Sequence, residues 1–232
     1  MAKHGGLVLV LWLVCAGSHA ALEQEIATRA EALEAQVVAW RRDIHANPEL
    51  SNREFRTAKL VADHLSSLGL EVQTGIAHTG VVGLLEGGLP GPVVALRADM
   101  DALPVTEKTG LPFASTVRGE YEGNEVGVMH ACGHDNHVAI LLAVATVLSD
   151  LREQLPGTVK FIFQPAEEGA PKGEDGGARM MVAEGVLQNP QVSAIFGLHI
   201  GQQGLAGSAS FRERGFMASA QRFDVLIKGR QT

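Results

Sequence analysis

The sequence predicts an α/β fold, a parallel sheet with helices covering it, on three observations. Short runs rich in β-branched residues alternate with stretches of helical period. One run, "GPVVALRADMD", is apolar almost throughout, as in a strand buried on both faces. Polar clusters follow the apolar runs, at the strand ends where open α/β sheets place ligands.

From Leu22 to His45, Ile26, Ala30, Leu33, Val37, Trp40 and Ile44 recur at spacings of four and three, one apolar helix face that "NPEL" stops. "SNRE", Ser51 to Glu54, reads as a capping box opening a second helix that ends near Gly69. The strand-like runs "EVQTGIA", "GVVGLLE" and "GPVVALRADMD" come next. "HVAILLAVATVLSDLREQL" reads as a long apolar helix, followed by strand "TVKFIFQ", helix "GARMMVAEGVL" and strand "VSAIFGLHI". Beyond them, "GLAGSASFRERG" and "MASAQRFDVLIKGR" alternate apolar and polar residues and read as strands with one wet face, a new element beginning near Ala218.

At 232 residues, with 46% hydrophobic and 19% charged, the composition is that of a globular chain of one domain and a fraction. A net charge of -7, without a basic run or basic patch, argues against a nucleic-acid partner. The first twenty residues have the pattern of an export signal: Lys3, the short apolar core "LVLVLWLVCAG", then "SHA" ending at Ala20. Cleavage there predicts a periplasmic or secreted protein without a membrane span, with Cys132 as its one remaining cysteine. A lone free thiol in an oxidising compartment is explained by metal ligation; burial as a small hydrophobe is the alternative.

The chemistry concentrates in "HACGHDNH", residues 130 to 137, which packs three histidines, a cysteine and an aspartate into one loop before a helix. "VVALR" is followed by Asp99 and Asp101, "VKFIF" by Glu167 and Glu168, and "AIFGL" by His199. The strand assignments put these on one rim with the loop. Cys132, His134, Glu168 and His199 are ligand types for Zn²⁺ and similar cations. Of the paired glutamates, one can ligate and the other remain a general base. Singly, a strand-end histidine is more often structural and a glutamate pair more often a solvated face; the convergence carries the reading.

"RADMDALP", "HACGHDNH", "FQPAEEG" and "GLH", in that order after "RRDIHANPELSNRE", resemble the amidohydrolase branch of the aminoacylase and carboxypeptidase G-type metallopeptidases. That branch includes hippurate hydrolase and the hydrolases of indole-acetyl-amino-acid conjugates. The resemblance implies a three-layer zinc-peptidase-like sheet with helices on both faces, and hydrolysis of the amide bond of N-acyl amino acids or peptide-like small molecules. It implies two divalent ions, Mn²⁺ or Zn²⁺. Cys132 would bridge them, His134 and His199 complete one, and Glu168 hold the other. Glu167 resembles the general base and Asp101 the orienting acid, while Asp99, His130, Asp135 and His137 support the site from behind the ligands. The family carries an inserted α+β lid and dimerisation domain, which leaves a homodimer open for a full-length protein. Against that pattern residues 1–20 are the signal, 21–215 the N-terminal part of the catalytic domain, and 216–232 the opening of an incomplete lid, truncated before a last ligand histidine. The rival readings are a catalytically inactive metal-binding fragment and a cysteine hydrolase using Cys132.

Overall fold

The computed structural model describes residues 20–201, 205–211, 214 and 225–229. Residues 1–19, which hold all but the last residue of the expected export signal, lie outside the described residues. The chain divides into two compact units, Met1–Ile200 and Gly201–Thr232.

In the first unit residues 20–32 are helical (α1), and α2 spans Glu34–Ala46. The single helix predicted from Leu22 is therefore interrupted by a turn at Leu33. Helix α3, Phe55–Ser67, leads into β1 (Glu71–Ile76), β2 (Gly80–Glu86) and β3 (Leu89–Asp99). A hairpin of β4 (Arg118–Tyr121) and β5 (Asn124–Gly127) precedes α4 (His134–Asp150). Strand β6 (Pro156–Gln164), α5 (Gly177–Ala183) and β7 (Ala194–Gly197) complete the unit. Among the described residues no helix is long and apolar enough to cross a membrane.

The main sheet has the order β1-β2-β6-β3-β7. Its β6–β3 and β3–β7 pairs are parallel, but β1–β2 and β2–β6 are antiparallel. The sheet is mixed rather than all-parallel, because only three residues separate β1 from β2, a tight reversal that joins antiparallel neighbours. Helices lie on both faces, as expected. Phe161 and Phe163 of β6 pack with Ala98, Val81 and Leu85 against Ile44 of α2, Val61 and Leu65 of α3, and Val138 and Leu142 of α4. The alternate residue Ile162 joins Val82 and Ala95 against Met181 of α5 and Val186 on the other face. The period-2 alternation of β6 thus feeds two cores at once.

The capping box read in "SNRE" does not form. Ser51 Oγ instead donates to Asp101 Oδ2 at 2.8 Å. The opening amides of α3 are satisfied by Glu49, whose carboxylate accepts from Arg56 N and Thr57 N, both at 2.8 Å. Tertiary partners outcompeted the local cap. In the second unit, the described residues 205–211, 214 and 225–229 contain no strand, against the two strands expected there; the other residues of those two segments lie outside the described residues.

Candidate metal centre

Three parallel strands, β3, β6 and β7, end on one edge of the sheet, and the residues just past their ends meet the N-terminus of α4. Gly133 makes the entry to that helix possible. It stands at φ 91, where a side chain would be strained, and a Cβ there would collide with Ile200. The turn brings Cys132 and His134 to the same edge as Glu167, Glu168 and His199.

His134 is the hub. Its ring is fully buried, and Nδ1 donates to the main-chain carbonyl of Asp101 at 2.8 Å. A carbonyl can only accept, so Nδ1 carries the proton and Nε2 points away from it. Nε2 has no hydrogen-bond partner, yet Asp99 Oδ1 lies 3.6 Å, Glu167 Oε2 3.7 Å and Glu168 Oε1 3.8 Å away. On the other side, ligand atoms of Cys132, His134 and His199 lie within 4.8 Å of one another, as do those of His134, Glu167 and Glu168. His199 is oriented in the same manner as His134. Its Nδ1 donates to the carbonyl of Ile200 at 2.6 Å, leaving Nε2 facing Cys132 Sγ at 3.5 Å.

His137, one turn further along α4, is different. Nδ1 donates to Asp99 Oδ1 at 2.6 Å and Nε2 accepts the Ile200 amide at 2.9 Å. Both ring nitrogens are occupied. Asp99 is held in turn by Arg97 at 2.6 Å. Burial pushes the Asp99 carboxyl up, but the His137 hydrogen bond and the charges of His134 and Arg97 outweigh it and hold it down at about 2. Asp101 accepts the amides of both Glu167 and Glu168 at 3.0 Å, as well as the Ser51 hydroxyl. Asp135 anchors the start of α4 to α2: His45 Nδ1 donates to it at 2.8 Å, and Arg41 Nε lies at 2.8 Å as a charge contact outside hydrogen-bonding geometry. His130 is buried with neither ring nitrogen paired, and desolvation lowers it to about 4, which keeps it neutral.

Every residue singled out from the sequence therefore lies at or directly behind this edge. Those missed are the residues that hold it: Arg97, Gln164, Ser51, Glu54, Arg41, His45 and Glu107. Several of them fall within "RRDIHANPELSNRE", a stretch whose polar residues spacing alone could assign only to helix and turn.

The electrostatics fit a cation. Desolvation and the nearby Glu168, Glu167 and Asp99 push the Cys132 thiol up to about 12. His134 is raised to about 9, because its hydrogen bond to Asp101 and the charges of Asp99 and Asp101 overcome desolvation. Burial and Asp99 also raise Glu167. The pocket thus concentrates negative charge around an unpartnered imidazole nitrogen and a thiol, the donor set of a borderline-soft divalent ion. The arrangement suits a metal site, where a bound cation would offset the carboxylates that raise the thiol.

Residues 95–213 match the model of peptidase family M20/M25/M40, and the chain belongs to that family. It is similar to thermostable carboxypeptidase 2 of Saccharolobus solfataricus, 42% identical over 90% of this chain and 50% of that protein. It is also similar to N-acetylcysteine deacetylase of Bacillus subtilis, 43% identical over 86% of this chain and 49% of that protein. Among solved structures it resembles the Bacillus subtilis YXEP protein, a dinuclear metal binding peptidase of the M20 family. That similarity has 44% identity and a TM-score of 0.65, covering 75% of this chain and 44% of that one. The chain spans about half the length of the curated relatives it matches.

Proposed function

We propose that this chain carries the main part of a two-metal amidohydrolase site that cleaves the amide bond of N-acyl amino acids. The observation that carries the reading is His134 Nε2, a buried nitrogen with no protein partner, aimed into a cage of Glu167 and Glu168 and flanked by Cys132 and His199. Similarity to a relative named N-acetylcysteine deacetylase and to one named carboxypeptidase supports amide hydrolysis next to an amino-acid carboxylate.

His134, Cys132 and His199 would hold one divalent ion, Zn²⁺ or Mn²⁺, with Cys132 shared and Glu168 holding a second. Bound there, divalent ions supply Lewis-acid polarisation of the scissile carbonyl and acidify water. Glu167, raised by burial and by Asp99, is suited to take the proton of the attacking water at its carboxylate and return it to the leaving amine. Asp101 orients both glutamates through their amides and fixes the His134 ring through its carbonyl. The products are a carboxylic acid and a free amino acid.

The test is a pair of variants assayed in the whole protein for metal content and for release of amino acid from N-acetyl amino acids. Glu167→Gln is expected to lose about 10²–10⁴-fold in turnover while keeping its metal. Glu168→Gln is expected to lose metal first, with activity partly restored by added metal. Loss of metal in Glu167→Gln with both metals kept in Glu168→Gln would exchange the two roles.

A further inference from the structure

The two glutamates are displayed by a turn held in an unusual way. Three consecutive amides donate to buried carboxylates: Ala166 N to Glu54 Oε1 at 2.9 Å, Glu167 N to Asp101 Oδ1 at 3.0 Å, and Glu168 N to Asp101 Oδ2 at 3.0 Å. Ala166 stands at φ 47, a left-handed conformation that a non-glycine residue keeps only where its surroundings hold it. Gly177 leaves room beside it, since a Cβ there would sit 2.7 Å from the Ala166 carbonyl oxygen.

The Glu54 side chain does not cap its own helix. It is fully buried at the start of α3, but the first amides of that helix bond to Glu49. Its second oxygen accepts from the Thr79 hydroxyl at 2.5 Å. No Lys or Arg pairs with it among the described residues, and desolvation raises it to about 7. A buried carboxyl without an ion partner is costly, so it persists where its acceptor capacity is needed.

We propose that Glu54 is a positioning residue that, together with Asp101, sets the Ala166–Glu168 turn so that both Glu167 and Glu168 face His134. Without its acceptor, the buried Ala166 amide is left unpaired, and the turn has reason to relax to an ordinary φ that aims the glutamates elsewhere. The geometry stands on its own; its consequence for metal rests on the metal-site reading above.

The experiment compares Glu54→Gln, which keeps an acceptor oxygen, with Glu54→Met, which fills the space without one. Amide hydrogen exchange of the metal-free chain is measured at Ala166–Glu168 and, as a control, at Phe161–Phe163 of β6. Co²⁺ affinity is then read from its visible absorption. Glu54→Met is expected to exchange about tenfold faster or more at Ala166, with the β6 amides unchanged, and to bind Co²⁺ about tenfold more weakly. Glu54→Gln is expected to stay within about threefold of the parent in both. Should Glu54→Met not fold, Glu54→Asp, too short to reach the Ala166 amide, takes its place with the same expectation. Unchanged exchange at Ala166 overturns the proposal. So does faster exchange with unchanged Co²⁺ affinity, which would reduce Glu54 to a structural role. If the parent chain binds no Co²⁺, the metal-site reading falls, while the exchange pattern still decides whether Glu54 holds the turn.

Discussion

His134 and His137 lie three residues apart on one helix, both essentially buried, and they do opposite things. His137 spends both ring nitrogens on the protein, one on Asp99 and one on the Ile200 amide. His134 spends only Nδ1 and leaves Nε2 facing carboxylates and a thiol. A buried polar atom without a partner is a standing cost, and proteins keep few of them. Here the cost falls on the one nitrogen that can face all the acidic groups, and the fully bonded histidine beside it closes the cluster from behind. Between these two histidines, it is the unsatisfied nitrogen that faces the candidate ligands.

The largest expected effect is on metal affinity. His134→Ala should weaken Zn²⁺ or Mn²⁺ binding by more than the roughly 10–100-fold expected of His137→Ala, which removes only a supporting hydrogen bond. Isothermal titration calorimetry of the two variants against the parent checks the order. Equal losses would mean that His137 ligates as well and that its Ile200 contact is replaced on binding.

The pH dependence sharpens the same contrast. In the metal-free chain His134 is raised to about 9 and Cys132 to about 12, so near neutral pH both hold protons that a divalent ion must displace. Affinity is therefore expected to rise with pH below about 9, by about tenfold per pH unit for each proton displaced. Titrations in buffers of different ionisation enthalpy would count those protons. Release of none would remove His134 and Cys132 from the ligand set. The same shift carries a stability signature of defined sign. A histidine raised in the fold stabilises it fully below its ordinary value of 6.5, and that contribution is lost as pH rises through about 9.

Ser51→Ala should have the smallest effect. Asp101 loses one donor but keeps the Glu167 and Glu168 amides, so about 1 kcal/mol of stability should disappear, with metal affinity within about threefold of the parent. Thermal melting with and without metal measures both. A larger loss of affinity would show that the hydroxyl, rather than the two amides, governs where the Asp101 carboxylate points.

Much of the site was legible from type and order alone. Glu167, Glu168 and His199 stand just past apolar runs, Cys132 and His134 in the loop before a helix, and strands that run parallel must end on the same edge. The antiparallel β1–β2–β6 half of the sheet was not legible, because an apolar run reads the same in either direction. The second unit shows how pattern alone misleads: "GLAGSAS" alternates like a strand, yet its described residues form none.

The sequence by itself determined which side chains could bind a cation and most of the helices and strands of the main sheet, since ligand chemistry and periodicity are local properties. Only the tertiary structure decided that His134 turns its free nitrogen toward Glu167 and Glu168 while His137 has both of its nitrogens bonded. It also turned "SNRE" from a helix cap into two struts, Ser51 under Asp101 and Glu54 under Ala166. A hydrogen bond forms with whichever partner the fold brings within about 3 Å, and residues 50 or 112 positions apart become such partners only once the sheet has assembled.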